Sequence, residues 1–157
     1  MKSFREMNFS DIKQVMEIET EVYESPWNRV SFVNELRHNK YASYFVYEKD
    51  EEIVAYGGIW NILDEAHITN IAVKKSYQKK GIGEKMLSYL EEKAFEKGAT
   101  GITLEVRASN KAAKALYEKC GYNSWGVRPK YYTDNNEDAI IMWKMKLGDE
   151  DEWALIF

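Results

Sequence analysis

The chain is poor in residues that form disulfides or bind transition metals. It has one cysteine, Cys120, so no disulfide can form within the chain. Its only histidines are His38 and His67, and a zinc site would have to take most of its ligands from carboxylates. We therefore expect no bound metal.

Long apolar runs and flexible linkers are absent as well. No stretch approaches the roughly 18 apolar residues of a membrane-spanning helix, and the start, MKSFREMNFSD, lacks the apolar centre of a signal peptide. These features predict a cytoplasmic protein. Without a Pro/Gly/Ser-rich linker or a repeat, we expect a single domain over residues 1–147 and an acidic, then apolar, tail over 148–157 whose role stays open.

An excess of basic charge is missing too. The formal net charge is −4, but the last segment, GDEDEWALIF, carries four acids and no base. The rest of the chain therefore has 22 acids facing 22 bases. A neutral body argues against nucleic acid as the main partner.

Hydrophobic periodicity predicts a mixed α/β fold. We expect a strand, two helices, three strands, a helix, a strand, a helix and two strands, in that order. The first helix is expected to begin at a Ser10 cap and to end near Tyr23, and the second to span 30–37. A polar turn at 50–52 should join two strands of a hairpin.

A glycine-bearing loop lies between the strand at 66–73 and the next helix. A strand that leads through such a loop into a helix points several free backbone N–H groups at one spot, together with the positive end of the helix dipole. Gly81 and Gly83 allow close approach of an anion, and Lys79 and Lys80 add positive charge. The alternative is a surface turn with solvated lysines.

Two familiar phosphate motifs do not match this loop. A Walker loop needs Lys and then Ser or Thr after its last glycine, whereas Gly83 is followed by Glu84 and Lys85. The dinucleotide fingerprint needs a third glycine where this chain has Met86. The loop therefore predicts a phosphate ligand of another class.

The segment GITLEVR, residues 101–107, alternates apolar and polar residues as a half-buried strand does. Glu105 should therefore lie on the face away from the core. In the helix that follows, Asn110 is a predicted cap, and Tyr117 lies two turns later on the same stripe.

These motifs carry a family resemblance. QKKGIG, following a strand, resembles the pyrophosphate-binding signature of the GNAT acetyltransferases, and the predicted element order is also theirs. ITNIAV, LEVRASNKAAKALYEKCGY and YYTDNNEDAIIM resemble their subgroup of ribosomal-protein-alanine N-acetyltransferases, the RimI type. The resemblance spans about residues 4–147. It implies the GNAT fold, a mostly antiparallel sheet with one splayed parallel pair and flanking helices.

The resemblance implies acetyl-CoA as the cosubstrate, held between the splayed strands 66–73 and 101–106. Its acetyl and pantetheine arm would lie along the first strand, and its pyrophosphate would sit on the loop. The residues that the resemblance assigns to this binding are Ile71, Ala72, Val73, Lys79, Lys80, Gly81, Ile82, Gly83, Glu84 and Asn110.

The resemblance also implies the catalytic pair. An attacking amine must lose a proton and a departing thiolate should gain one, so two groups of different pKa are needed. Glu105 resembles the general base, acting directly or through water, and Tyr117 the general acid, in a direct attack without an acetyl-enzyme. The alternatives are an exposed strand carboxylate and an ordinary half-buried aromatic. We expect Cys120 to be a small buried residue.

The acceptor is implied to be a protein N-terminus, with alanine first, on a small-subunit ribosomal protein. An α-amine, whose pKa is about 7.7 to 8.0, is easier to deprotonate than lysine at about 10.4. The implied rims of the peptide groove are Pro26, Trp27, Tyr131, Tyr132 and Asp138, with Asp134 and Glu137 also able to attract a basic peptide. Ordinary packing and solvation are the alternative roles.

Two other functions stay open. One is a GNAT enzyme for a lysine side chain or a small amine, and the other is a non-catalytic acetyl-CoA-binding interaction module. We expect no catalytic role for either histidine, because strand alternation puts His67 on the same face as Thr69 and Ile71, and His38 follows a helix.

Overall fold

The computed structural model describes residues 2–146, which contain one seven-stranded sheet and four α-helices. The helices are α1 Ile12–Val22, α2 Arg29–His38, α3 Ile82–Glu96 and α4 Lys111–Lys119. The strands are β1 Lys2–Glu6, β2 Ala42–Lys49, β3 Glu52–Ile62, β4 Glu65–Val73, β5 Gly101–Arg107, β6 Asn123–Tyr132 and β7 Glu137–Met145. This confirms the predicted element order. The proposed boundary at 147 and the tail lie outside the described residues.

The sheet has the order β1-β2-β3-β4-β5-β7-β6, and every neighbouring pair is antiparallel except β4 and β5. The parallel pairing of β4 with β5 is short. It consists of Glu65 with Gly101, Ala66 with Ile102, and His67 with Thr103. Beyond these pairs the two strands separate and leave a cleft, which confirms the mixed sheet with a splayed parallel pair.

Two hydrophobic clusters hold helices on opposite faces of the sheet. The first contains the α3 stripe, whose fully buried members are Met86, Leu87, Leu90 and Ala94. The second joins α1 and α2 to β2 and β3 through residues such as Ile12, Val15, Ile18, Phe32 and Tyr56. Among the described helices, none is long and apolar enough to cross a membrane.

Local signals explain where most elements begin and end. The β2–β3 turn has Asp50 and Glu51 at φ 51° and 65°, the left-handed pair of a two-residue hairpin turn. Asn28 and Asn110 cap α2 and α4 with their side chains. The predicted Ser10 cap is wrong. Asn8 caps the short 3-10 turn that precedes α1, and its side chain accepts the Ser10 N–H at 3.0 Å.

A bulge in β4 changes which residues face which layer. Gly58 pairs with Asn70 and the next residue of β3, Ile59, pairs with Ile68, so Thr69 is the extra residue. Before the bulge Ile68 belongs to the α3 cluster, and after it Ile71 packs against the same cluster. Simple alternation therefore fails here. The expectation that His67 and Ile71 share a face is wrong, because one inserted residue reverses the pattern.

Candidate active site

The cleft lies where β4 and β5 part. The β4 segment beyond the last pair with β5 contains Ile71, Ala72 and Val73. The backbone N–H and C=O groups that this segment directs toward β5 have no hydrogen-bond partner on that strand. Ile71 and Val73 pack against the α3 cluster, while Ala72 belongs to the α1–α2 cluster. The Ile71 carbonyl accepts the Tyr23 hydroxyl at 2.5 Å, so the end of α1 is tied to the wall of the cleft.

The loop from β4 to α3 presents bare backbone. The Gln78 side chain donates to the Val73 carbonyl at 3.0 Å, which fastens the loop to the end of the strand. Lys79 and Gly81 both have left-handed backbone, at φ 61° and 80°. Gly81 precedes α3 and provides no side-chain cap. The first N–H groups of the helix therefore lack the capping oxygen that α2 and α4 receive.

The two loop glycines differ in what they require. A Cβ added at Gly81 would have no atom of the described residues within 4 Å, so the positive φ of Gly81, rather than crowding, favours glycine. A Cβ at Gly83 would lie 3.6 Å from Leu116 and 3.7 Å from Val73, which are ordinary contacts. The chain itself therefore leaves room for alanine at 83.

The charged residues of this loop are partly engaged already. The Lys80 ammonium lies 5.5 Å from the centre of the Tyr77 ring. Glu84, in the first turn of α3, pairs with Lys119 at 3.2 Å across two exposed side chains. The lysine thus offsets the negative charge that Glu84 brings to the helix N-terminus.

Glu105 stands on the face of β5 away from the α3 cluster, as predicted. The alternate residues of β5, which are Ile102, Leu104 and Val106, point the other way and belong to the α3 cluster. One Glu105 oxygen lies 2.5 Å from His67 Nε2, and the other lies 3.6 Å from Arg128 Nε. Burial raises the pKa of Glu105, but the hydrogen bond and charge of His67 and the charge of Arg128 outweigh it, leaving the pKa below its usual range.

Tyr117 is buried in the α3 cluster, with its ring 5.8 Å from that of Tyr122. Burial, followed by the nearby Tyr132 phenol, raises the pKa of Tyr117, so it remains protonated at neutral pH. Cys120 follows at the end of α4, and burial raises the pKa of its thiol. A thiol held protonated is a poor nucleophile.

The turn between β6 and β7 is held by Arg107. This guanidinium contacts Asp134 at 2.7 Å and Glu137 at 3.4 Å, and it stacks 4.0 Å from the centre of the Tyr132 ring. Asp134 also accepts the Ser25 hydroxyl at 3.0 Å, which joins this turn to the α1–α2 loop. These acids are therefore partly neutralised by the chain itself, which weakens the expectation that they attract a basic peptide.

A sequence model of the Acetyltransferase (GNAT) family matches residues 12–122. This chain belongs to that family. A relative from Bacillus subtilis is 48% identical over 139 residues, 88% of this chain and 92% of its own, and its name proposes a ribosomal protein bS18-alanine N-acetyltransferase. Relatives that match over most of their length are named N-acetyltransferases, and this GNAT chain is an enzyme of that class.

Solved structures agree with this assignment. The ribosomal-protein-S18-alanine N-acetyltransferase from Escherichia coli superposes with a TM-score of 0.84 at 33% identity, covering 96% of this chain and 98% of its own. The PaiA N-acetyltransferase from Thermoplasma acidophilum, solved with coenzyme A, shares the fold with a TM-score of 0.77 at 18% identity, over 93% and 99% of the two chains.

The other residues predicted to border the peptide groove are held in place by packing. Pro26 is exposed, and the half-buried Trp27 packs on Phe32 with ring centres 5.3 Å apart. Tyr131 is 47% exposed and meets Tyr132 edge to face at 5.2 Å. Burial raises the pKa of Tyr132 to about 12, and the charge of Glu105 adds to this rise.

Asp138 has a backbone role in addition to any contact with substrate. Its side chain accepts the Lys130 N–H at 2.9 Å, and Lys130 has left-handed backbone at φ 52°. Asp138 therefore shapes the bulged end of β6 that carries Tyr131. Among the described residues no group of three or more His, Cys, Asp and Glu is arranged to hold a metal ion.

A buried acid supports the α1–α2 loop of the GNAT cleft. Glu19 is 2% exposed, and one of its oxygens accepts the Trp27 N–H at 3.1 Å. Within residues 2–146, its other oxygen has no hydrogen-bond partner, and the same is true of the Asn70 side-chain oxygen on β4. Burial raises the pKa of Glu19 to about 7, although the Trp27 N–H opposes this shift.

Sequence reasoning missed four side chains of the site. They are Tyr23, His67, Arg107 and Arg128, to which the sequence patterns assigned no role in the chemistry. The pairing of Thr103 with His67 is what brings the imidazole beside Glu105. The resemblance already implied that these two strands are parallel, but only their register, which it did not give, identifies the histidine.

Proposed function

We propose that this enzyme transfers the acetyl group of acetyl-CoA to the N-terminal α-amine of ribosomal protein bS18, at alanine. The observation that carries this proposal is the likeness, over nearly the whole chain, to relatives named for that reaction. The proposal places the enzyme in the cytoplasm, where such a substrate is made.

The loop before α3 fits the pyrophosphate of acetyl-CoA. Two left-handed residues, Lys79 and Gly81, turn the backbone ahead of an uncapped helix N-terminus, and Gly81 has open space around it. Ile82, Gly83 and Glu84 supply first-turn N–H groups, which suit an anion. Lys80 adds charge. When bound, acetyl-CoA supplies an acyl group activated as a thioester.

The neighbouring elements would hold the rest of the cosubstrate. Ile71, Ala72 and Val73 line the cleft with backbone groups on β4, and Gly83 leaves the start of α3 free of bulk. Asn110 caps α4, accepting the Ala113 N–H at 3.1 Å, and its exposed position leaves it accessible to coenzyme A.

The two catalytic groups differ in the way the reaction needs. Glu105 is ionised at neutral pH and takes a proton from the acceptor ammonium, directly or through water. Tyr117 remains a phenol and donates a proton to the departing sulfur. The amine nitrogen attacks directly, since Cys120, a partly buried thiol of raised pKa, is a poor nucleophile.

An α-amine is the acceptor that this site activates most easily. A carboxylate of lowered pKa is a weak base, and at neutral pH about a tenth of an α-amine is already neutral, against well under a thousandth of a lysine. Pro26, Trp27, Tyr131, Tyr132 and Asp138 are proposed to border the groove for the following residues of the peptide.

A panel of acceptors tests the proposal. The enzyme is incubated with acetyl-CoA and a peptide that begins with alanine and copies the bS18 N-terminus, and mass spectrometry locates the acetyl group. The matched control is the same peptide with a blocked N-terminus and its lysines free. Serine-first peptides and polyamines complete the panel. We expect acetylation at the free alanine amine.

Acetylation only of the blocked peptide or of polyamines would defeat the N-terminal assignment in favour of lysine or small amines. Binding of acetyl-CoA without turnover of any acceptor, unaffected by Glu105→Gln, would instead indicate a non-catalytic binding module. These outcomes separate the choice of acceptor from catalysis itself.

A further inference from the structure

His67 and Glu105 form a close pair at the base of the cleft. Their side chains meet at 2.5 Å, although they are 38 residues apart in the chain. The Glu105 side chain is 13% exposed and that of His67 is 30% exposed. The imidazole therefore lies between a largely buried carboxylate and solvent.

The proton balance of the proposed reaction requires a route out of the site. An ammonium and a thioester give an amide, a thiol and one free proton. The C–N bond forms, the C–S bond breaks, and its electron pair leaves with sulfur. Two protons leave nitrogen for each turnover, while sulfur keeps one, so the other must reach solvent.

We propose that His67 is the proton-relay residue that accepts this proton from Glu105 and passes it to solvent. The inference rests on the proposed acetyl transfer through Glu105. It reverses the expectation from strand alternation that His67 has no part in the chemistry.

The surroundings of His67 favour a role in proton transfer over a purely structural role. A neutral imidazole has one N–H and one nitrogen with a free lone pair, so it can take up a proton at one nitrogen and release one from the other, which a relay needs. Arg128 also contacts Glu105, at 3.6 Å, but a guanidinium stays charged and cannot accept a proton. On the side of β3 the neighbour is the neutral Trp60 ring, with its centre 6.0 Å from that of His67.

The other titratable neighbour of the pair is Tyr132. Burial raises its pKa to about 12, and the charge of Glu105 adds to this rise, so the phenol does not change charge between pH 5 and 9. Among the described groups that face the pair, Arg128 stays charged and Trp60 stays neutral. Of these neighbours of Glu105, the His67 imidazole is the one whose basic nitrogen can accept a proton from the carboxyl group.

The test compares His67→Gln with the unaltered enzyme at saturating acetyl-CoA and alanine-first peptide. Glutamine retains a donor for Glu105 but cannot carry a proton onward. We expect kcat to fall about tenfold near pH 7 and the acid side of its pH profile to change shape, with the KM for acetyl-CoA unchanged. Free imidazole should restore the kcat of His67→Ala.

The matched control is His38→Gln, which changes the only other histidine and should leave the profile unaltered. A wild-type profile in His67→Gln would overturn the relay. So would a loss that is equal at every pH with no rescue by imidazole, since that would indicate a structural role. If the unaltered enzyme acetylates no acceptor, the proposed function fails instead, which keeps the two failures distinct.

Discussion

The loop at 78–84 and the turn at 131–138 both border the cleft but are built from different interactions. The loop depends on backbone, with left-handed Lys79 and Gly81 ahead of an uncapped helix. The turn depends on side chains, with Arg107 clamped by Asp134 and Glu137 and stacked on Tyr132. One side is shaped by local conformation and the other by pairs between distant residues.

This difference suits the two substrates of the proposed reaction. A pyrophosphate is the same in every turnover, and main-chain N–H groups at a helix N-terminus bind it whatever the neighbouring side chains are. A peptide acceptor must be distinguished from other amines, and that requires side chains. The comparison predicts that donor-side changes alter binding of acetyl-CoA, while acceptor-side changes alter turnover and acceptor recognition.

The largest expected effect comes from Glu105→Gln. Without the carboxylate the acceptor amine loses its base, and we expect kcat to fall by about 10² or more while the affinity for acetyl-CoA is retained. Steady-state kinetics and calorimetry measure the two quantities separately. Tyr117→Phe should act in the same direction. A comparable loss of acetyl-CoA affinity in Glu105→Gln would contradict the division of the cleft into two sides.

The next effect concerns Glu19, beneath the α1–α2 loop. Its folded pKa of about 7 exceeds that of an ordinary carboxyl, so the folded state binds the proton more tightly than the unfolded state. The free energy of unfolding should therefore fall as pH rises from about 4.5 to about 7. Denaturation experiments on Glu19→Gln across this range should show that its free energy of unfolding no longer falls with pH. At pH 8 the variant should be more stable than the unaltered protein by about 1–3 kcal/mol.

The control for Glu19 is Glu17→Gln, an exchange on the same helix at a residue that is not buried. It should leave the pH dependence unaltered. Equal pH dependence in the unaltered protein and in Glu19→Gln would show that Glu19 is not the source of the effect, and that the loop is supported without a buried proton.

On the donor side, Gly81→Ala should cost about 1 kcal/mol of stability, because an L-residue is strained at φ 80°. The matched exchange Gly83→Ala meets only ordinary contacts and replaces a helical glycine, so it should be neutral or slightly stabilising. Thermal unfolding and acetyl-CoA titration compare the two. Equal losses in both would indicate that crowding, rather than backbone conformation, selects glycine in this loop.

The smallest expected effect is that of Asp134→Asn. This change weakens the contacts of Asp134 with Ser25 and Arg107, which join the α1–α2 loop to the β6–β7 turn. Both contacts are partly exposed to solvent, so each contributes little. We expect the KM for peptide to rise about two- to fivefold, with the KM for acetyl-CoA unchanged. Added salt should reduce the difference. An altered KM for acetyl-CoA would instead place this turn on the donor side.

Hydrophobic periodicity predicted the helices and strands of the fold closely, and it predicted the candidate site in part. Burial of Ile102, Leu104 and Val106 and the outward position of Glu105 agree with strand alternation. The same rule failed in β4, where Thr69 is inserted between His67 and Ile71. A bulge has no reliable local signal, because it is decided by the pairing of both strands.

The sequence by itself determined the features that depend on neighbours along the chain. Glycine at a left-handed position, an asparagine cap, the α3 stripe and the outward face of β5 all follow from local conformation and periodicity. The family resemblance uses the same local segments. These features locate the donor side of the cleft.

Only the tertiary structure decided which distant side chains meet. His67 reaches Glu105 through the register of β4 on β5, and Ser25 reaches Asp134 across 109 residues of chain. The burial that shifts the pKa of Glu19 likewise depends on how α1 packs against the sheet. Such contacts depend on register and packing between elements, which residue order alone does not specify.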